Sequence, residues 1–171
     1  MKKLVFSIFF CLCFISCKRQ TTPTNIEFDY TVKVIGISDG DTFKGLTADN
    51  KQIRFRIYGI DAPEKKQAFS NVSKQKLSDL IFGKTVRIKV QKESDRWRRP
   101  IVWVFTPEDK DVSAEMLKAG MAWHYKEFDK SQEYADLEDQ ARNKKIGLWT
   151  EKNPIEPWVF RKKKSETKNN H

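Results

Sequence analysis

The chain has 171 residues, which suits one domain with short ends and excludes two ordinary domains. Charged residues make up 33% and aromatics 12%, a soluble globular balance. The formal net charge of +10 favours polyanionic partners, either nucleic acid or an anionic membrane surface, although a merely soluble basic surface carries the same number.

Lys2 and Lys3 precede an apolar run from Leu4 to Ile15. That run is shorter than the ~20 residues a membrane-spanning helix needs, and it fits the core of a secretory signal. Phe14-Ile15-Ser16-Cys17 resembles a bacterial lipobox, with Phe14 in place of the usual Leu. The resemblance implies cleavage before Cys17 and lipidation of its thiol; the alternative is a plain signal peptide. Cys11, Cys13 and Cys17 all lie in this segment, so the mature domain is expected to hold no disulfide and no thiolate metal site. Four regions follow: a signal and anchor cysteine at 1–17, a flexible polar tether at 18–27, a folded domain at 28–150, and a Pro- and Lys-rich extension at 151–171.

Tyr30 to Ile37 alternates and is rich in β-branched residues, which predicts a strand. Asp39-Gly40 is a strong turn dipeptide, and Asp41 to Leu46 can form the return strand. After the Asp49-Asn50-Lys51 turn, Ile53, Phe55 and Ile57 alternate with Arg54, Arg56 and Tyr58, so the apolar three share one face and the arginines the other. A helix is expected beyond Pro63, capped by Ser70, with Phe69, Val72, Leu77, Leu80 and Ile81 near one face and Gly83 at its stop. Thr85 to Val90 alternates cleanly, and Ile101 to Phe105 is apolar on both faces, which predicts a deeply buried strand. Asp111 is expected to cap one further helix that Gly120 ends, and Ser131 another that Gly147 ends. The C-terminus reads as a solvated basic tail, Arg161 to Lys164 included, with a nucleic-acid-holding role as the alternative. The pattern is α+β: a five-stranded, OB-type Greek-key barrel with about three α-helices, a fold that often carries oligonucleotide sites.

The acidic residues that carry chemistry gather around two turns. Asp39 and Asp41 flank Gly40, and Asp61 and Glu64 follow the strand that bears Arg56. If those strands are neighbours, Asp41, Asp61 and Glu64 meet at one barrel rim, where mutual repulsion favours a bound cation. Carboxylate and carbonyl oxygens select hard ions such as Ca²⁺, Mg²⁺ or Mn²⁺. Zinc is disfavoured, since only His124 and His171 remain as soft donors. An EF-hand is excluded, because Phe43 and Lys44 stand where a ligand and a glycine are required. Singly, these acids could equally be turn formers.

Ser38-Asp39-Gly40-Asp41-Thr42, Arg54-Phe55-Arg56-Ile57 and Gly59-Ile60-Asp61-Ala62-Pro63-Glu64 together resemble the staphylococcal nuclease (thermonuclease) family. Asp95-Arg96-Trp97-Arg98-Arg99 is similar to its later arginine motif, with Trp97 for the usual Tyr and Arg98 for the usual Gly. Gly120-Met121-Ala122-Trp123 and Gly147-Leu148-Trp149 extend the likeness from about Tyr30 to Trp149. The resemblance implies a nuclease acting on DNA and RNA that leaves 3′-phosphate products. It implies one Ca²⁺ held by Asp41, Asp61 and the Ala62 carbonyl, with Asp39 as an outer carboxylate holding water, and Mg²⁺ or Mn²⁺ as lesser candidates. Glu64 is implied as general base, and Arg56 and Arg99 as phosphate clamps. Trp97 and Tyr125 are the candidate base-stacking residues; Tyr125 could equally be a rim aromatic. His124 reads as structural, and Trp103, Trp123 and Trp149 as packing.

Phosphodiester hydrolysis independently asks for these types. A cation and two guanidiniums neutralise the charge that builds on the phosphoryl group, and planar arginine can grip two phosphate oxygens at once. The expectation is therefore an exported, monomeric nuclease, lipid-anchored to a bacterial envelope or secreted, meeting membrane only through its anchor. The first alternative is a non-catalytic OB-fold lipoprotein that binds nucleic acid. The second is a basic envelope lipoprotein that binds acidic polymers structurally.

Overall fold

The computed structural model describes residues 27–169. The export segment, the anchor Cys17, nearly all of the tether and His171 lie outside the described residues. Among the described residues, no helix is long and apolar enough to cross a membrane.

Alternation becomes five strands that close on themselves: β1 Tyr30–Ile37, β2 Thr42–Leu46, β3 Gln52–Ile57, β5 Thr85–Lys92 and β6 Ile101–Phe105. They run β1-β2-β3-β6-β5 around a closed barrel. Every barrel pairing is antiparallel except β3 with β6, where Arg56 meets Ile101 and Ile57 meets Val102. Two shorter strands, β4 Ile60–Asp61 and β7 Trp123–His124, pair beside the barrel. The helices are α1 Ser70–Ile81, α2 Val112–Lys118, α3 Gln132–Asn143 and α4 Pro157–Asn169, with a 3-10 turn at Gly147–Thr150.

Inward residues of the barrel, among them Val32, Val34, Phe43, Phe55, Ile57, Val86, Ile88, Val102 and Val104, form the core with Leu77 and Ile81 of α1 and Met116 and Leu117 of α2. Phe43 and Phe55 stack across β2 and β3 with ring centroids 5.1 Å apart. A second cluster of Trp123, Ala141, Leu148 and Trp149 lies beside it, with Phe69 and Trp158 packed against it.

Several local expectations need correction. Helix α1 is entered through Phe69 in the left-handed region, with no side-chain cap, so Ser70 is its first residue rather than its cap. Val72 is exposed and Ser73 fully buried, which turns the inner face of the helix by one residue. Trp103 is half-buried on the outside of β6, edge-on to Tyr58, so that strand is not apolar-packed on both faces. Helix α3 ends at Asn143 with Lys144 as its C-cap and Lys145 in the left-handed conformation; Gly147 opens the 3-10 turn instead. The described residues hold four α-helices, and the segment read as a solvated tail folds as α4. The expected caps Asp111 and Ser131 both accept backbone N–H bonds at their helix starts.

Gly40 is needed for proximity. A Cβ there would lie 1.9 Å from Ser73 Oγ and 2.7 Å from the Ala62 Cβ. Ser73 cannot easily yield, because its hydroxyl donates to the Met121 carbonyl at 2.7 Å. The hairpin tip is thus pressed against α1 and the loop after β4. Gly40→Ala should cost about 1–3 kcal/mol in urea unfolding; a change within about 0.5 kcal/mol would contradict this packing.

Candidate active site

The site is assembled by strand register. Thr42 lies opposite Arg56 across β2 and β3, so Asp41, just before β2, stands next to the Arg56 strand. The backbone N–H of Ile57 donates to the Asp41 carbonyl at 2.8 Å and locks that relation. β4 brings Asp61 to the same rim, held by pairing with Trp123 of β7.

Arg56 binds both acids. Its Nη1 lies 3.2 Å from Asp41 Oδ2 and its Nη2 2.8 Å from Asp61 Oδ1. Nη1 also donates to the Ile57 carbonyl at 2.9 Å. Asp41 further accepts the Ala62 N–H at 2.7 Å and the Thr42 hydroxyl at 3.0 Å. Asp39 Oδ1 accepts the Asp41 N–H at 3.2 Å.

Arg99 reaches the same cluster through Thr42, to whose hydroxyl its Nη1 donates at 3.2 Å. Asp95 fixes that guanidinium: its Oδ2 accepts from Arg99 Nε at 2.9 Å and Nη2 at 2.7 Å. Desolvation alone would raise the Asp95 carboxyl, but the bonds from the Arg99 and Trp97 backbone and the Arg99 side chain outweigh it and hold it below its ordinary value. Arg98 sits at φ 58, the left-handed position that suits glycine. Trp97 is 58% exposed, with the Arg96 and Arg99 guanidiniums 3.9 and 4.9 Å from its ring centroid. Its face is therefore shared with cations, yet it remains open to solvent.

Glu64 is a rim residue, its backbone N–H satisfied by Gln67 Oε1 at 3.0 Å. It joins the buried acids through Arg161, a residue expected in a solvated basic tail. Arg161 of α4 donates from Nη1 to Glu64 Oε1 at 2.7 Å and to Asp61 Oδ1 at 3.2 Å, and from Nη2 to Asp61 Oδ2 at 2.8 Å. Desolvation would lower its pKa, but Asp61 and Glu64 drive it upward. Trp158, one turn earlier, stacks on Tyr125 with ring centroids 5.1 Å apart and planes 6° apart. A signal was present: Pro157, suited to a first helical position, precedes Trp158, Val159 and Phe160. His124 is buried with Nε2 2.7 Å from Asp129 Oδ2.

The expected convergence of Asp41, Asp61 and Glu64 is thus made through guanidiniums, two acids at a time. Among the described residues, no three His, Cys, Asp or Glu side chains gather tightly enough to hold a metal by themselves. The donors nevertheless fit a hard cation. They are all oxygens, and their charge is incompletely neutralised. Burial and then the Asp41 charge push Asp39 up to about 7, and burial pushes Asp61 up to about 6 against the pull of Arg56. Asp41 and Asp61, on one guanidinium, are the side chains that would hold such an ion, with carbonyl and water oxygens completing its shell.

The family description "Staphylococcal nuclease homologue" matches residues 54–151. An uncharacterized endonuclease of Haemophilus influenzae is 45% identical over 132 residues, covering 77% of this chain and 73% of the relative. An uncharacterized endonuclease of Escherichia coli O157:H7 is 35% identical over 132 residues, covering 77% and 85%. A micrococcal nuclease of Shigella flexneri is 37% identical over 145 residues, covering 78% and 82%.

The raised Asp39 value makes stability depend on pH. For an acid raised on folding, the stabilisation is fully present below its ordinary value and is lost as pH rises through the folded one. With chelator present, the wild type should lose stability between pH 3.8 and about 7 relative to Asp39→Asn. Thermal melts that stay parallel for the two proteins across that window would contradict the shift. Separately, Arg98→Gly should add about 0.5–1 kcal/mol in urea unfolding by relieving left-handed strain; a loss of stability would contradict it.

Proposed function

The chain belongs to the staphylococcal nuclease family, and from that membership we propose that it is a calcium-dependent nuclease that cuts DNA and RNA and leaves 3′-phosphate ends. The observation that carries the reading is the bridge of Arg56 between Asp41 and Asp61, with Arg99 tied to the same cluster through Thr42. Those are the residue types and the proximity that phosphodiester hydrolysis demands.

In this reading Asp41, Asp61 and the Ala62 carbonyl would hold one Ca²⁺, and Asp39 would orient water beside it. When bound, Ca²⁺ supplies positive charge that polarises the phosphoryl group. Arg56 and Arg99 take the non-bridging phosphate oxygens, where two planar guanidiniums stabilise the growing equatorial charge. Glu64, at the solvent rim, accepts a proton from the attacking water. Asp95 pre-orients Arg99 and lowers the entropic cost of its grip. Trp97 offers an open aromatic face on which a base stacks without sequence preference, and Tyr125, whose face Trp158 covers here, is the second stacking candidate. Trp97 brings no phenolic hydroxyl, so its contribution is stacking alone.

A barrel that merely binds nucleic acid would have no need for Glu64, which distinguishes the alternative. The leader read at residues 1–17 supports export and attachment to a bacterial envelope through Cys17. Digestion of plasmid and of single-stranded RNA with Ca²⁺ should be abolished by excess chelator; cutting that ignores the chelator would remove the metal assignment. Glu64→Gln should retain nucleic-acid binding while kcat falls on the order of 10²–10⁴-fold. Turnover near the wild-type rate would mean that Glu64 is not the base.

A further inference from the structure

Helix α4 lies over the mouth of the site. Trp158 covers one face of Tyr125 in a parallel stack and meets Trp123 edge-on with centroids 5.9 Å apart. Arg161, three residues on and therefore on the same side of the helix, grips Glu64 and both oxygens of Asp61. The Gln67 amide donates to the Ile155 carbonyl and ties the approach to the helix to the loop that carries Glu64.

These two side chains stand where a complex would need something else. A planar indole on Tyr125 takes the place of a stacked base. A guanidinium on Asp61 and Glu64 takes the place of positive charge at the carboxylates. A base that is hydrogen-bonded to an arginine has one lone pair fewer to receive a proton, so this contact opposes the reacting state. We propose that α4 is a displaceable cover, in which Trp158 occupies the stacking face of Tyr125 and Arg161 holds Asp61 and Glu64 until a divalent cation and nucleic acid replace them. This rests on Asp61 as a metal ligand, Glu64 as the base and Tyr125 as a stacking residue.

The two arginines at Asp61 differ in how firmly they are held. The Arg56 side chain is 13% exposed and sits within the barrel rim, whereas Arg161 is 35% exposed and Glu64 36%. The Arg161–Glu64 pair, which water already reaches, is inexpensive to break, whereas Asp61, 2% exposed, releases Arg161 only when another cation takes its place. A divalent ion carries twice the charge of a guanidinium and approaches carboxylate oxygen to about 2.3–2.6 Å, so it outcompetes Arg161 for Asp61. Lys162, Lys163 and Lys164 are exposed beside Arg161. Once released, the helix presents four adjacent cations to a polyphosphate chain, which favours the open form when substrate is present. Because a ligand that binds only the open form is weakened by the closed fraction, the cover sets the apparent cation affinity.

Calorimetric Ca²⁺ titration of the full chain, of Arg161→Ala, of Trp158→Ala and of Lys163→Ala, together with amide hydrogen exchange, tests this. Arg161→Ala and Trp158→Ala should each bind Ca²⁺ on the order of 5- to 100-fold more tightly than wild type. Trp158→Ala changes no charge, so its gain cannot be long-range electrostatics. Lys163→Ala removes a charge from the same helix without touching Asp61 or Tyr125, and should change affinity by less than about twofold. In the unaltered protein, Ca²⁺ should speed amide exchange across residues 157–164. Tighter binding in Arg161→Ala alone, with exchange unchanged, would reduce Arg161 to a repelling charge and overturn the cover. Slower exchange in α4 on adding Ca²⁺ would make the helix a part of the loaded site and overturn it as well. If no variant and no wild-type protein binds Ca²⁺, the metal reading of the site itself fails and the cover has no cation to yield to.

Discussion

Two aspartates and one arginine at the barrel rim constrain everything around them. Asp41 and Asp61 are almost fully buried, and burying carboxylates is costly unless each finds a cation and hydrogen-bond donors. Arg56 supplies the cation to both. That single guanidinium serves both acids only because Thr42 and Arg56 face each other across β2 and β3, and because β3 also pairs in parallel with β6. A one-residue slip of β3 would send Arg56 into the core and expose Phe55 and Ile57. The hydrophobic alternation that closes the barrel and the electrostatics that build the site are thus the same constraint.

Around this triad the charge does not balance. Asp39 and Asp61 are both pushed above the usual carboxylate range, chiefly by burial. The molecule relieves part of this with Arg161, a cation borrowed from its own C-terminal helix. A fold that needed these acids only for stability would do better with apolar residues of similar size. Retaining them at one rim, beside a guanidinium oriented by Asp95, fits a nuclease family member whose site handles phosphate.

The barrel was legible in the sequence because alternation is a local signal. Val32 and Val34, then Phe55 and Ile57, then Val86 and Ile88, point inward as their spacing predicts. The caps Asp111 and Ser131 were legible for the same reason, since an N-cap bond is made within a few residues. What local pattern could not give were the tertiary contacts. Gly40 looks like a turn glycine, but Ser73 and Ala62 decide that position. Ser73, a polar residue on the inner face of α1, is buried because a distant carbonyl, that of Met121, satisfies it. The acids that meet Arg56 at the rim, Asp41 and Asp61, stand in sequence motifs, whereas Trp158 and Arg161 belong to none of them. Their basic surroundings suggest a solvated tail until Tyr125, Asp61 and Glu64 are seen to receive them.

Crystals grown with Mn²⁺ as an anomalous stand-in for the proposed Ca²⁺ probe the triad most directly. One anomalous peak is expected within coordination distance of a carboxylate oxygen from both Asp41 and Asp61, with Arg56 still beside them. No peak at that rim, or a peak bound elsewhere with Asp41 and Asp61 still joined only through Arg56, would contradict it.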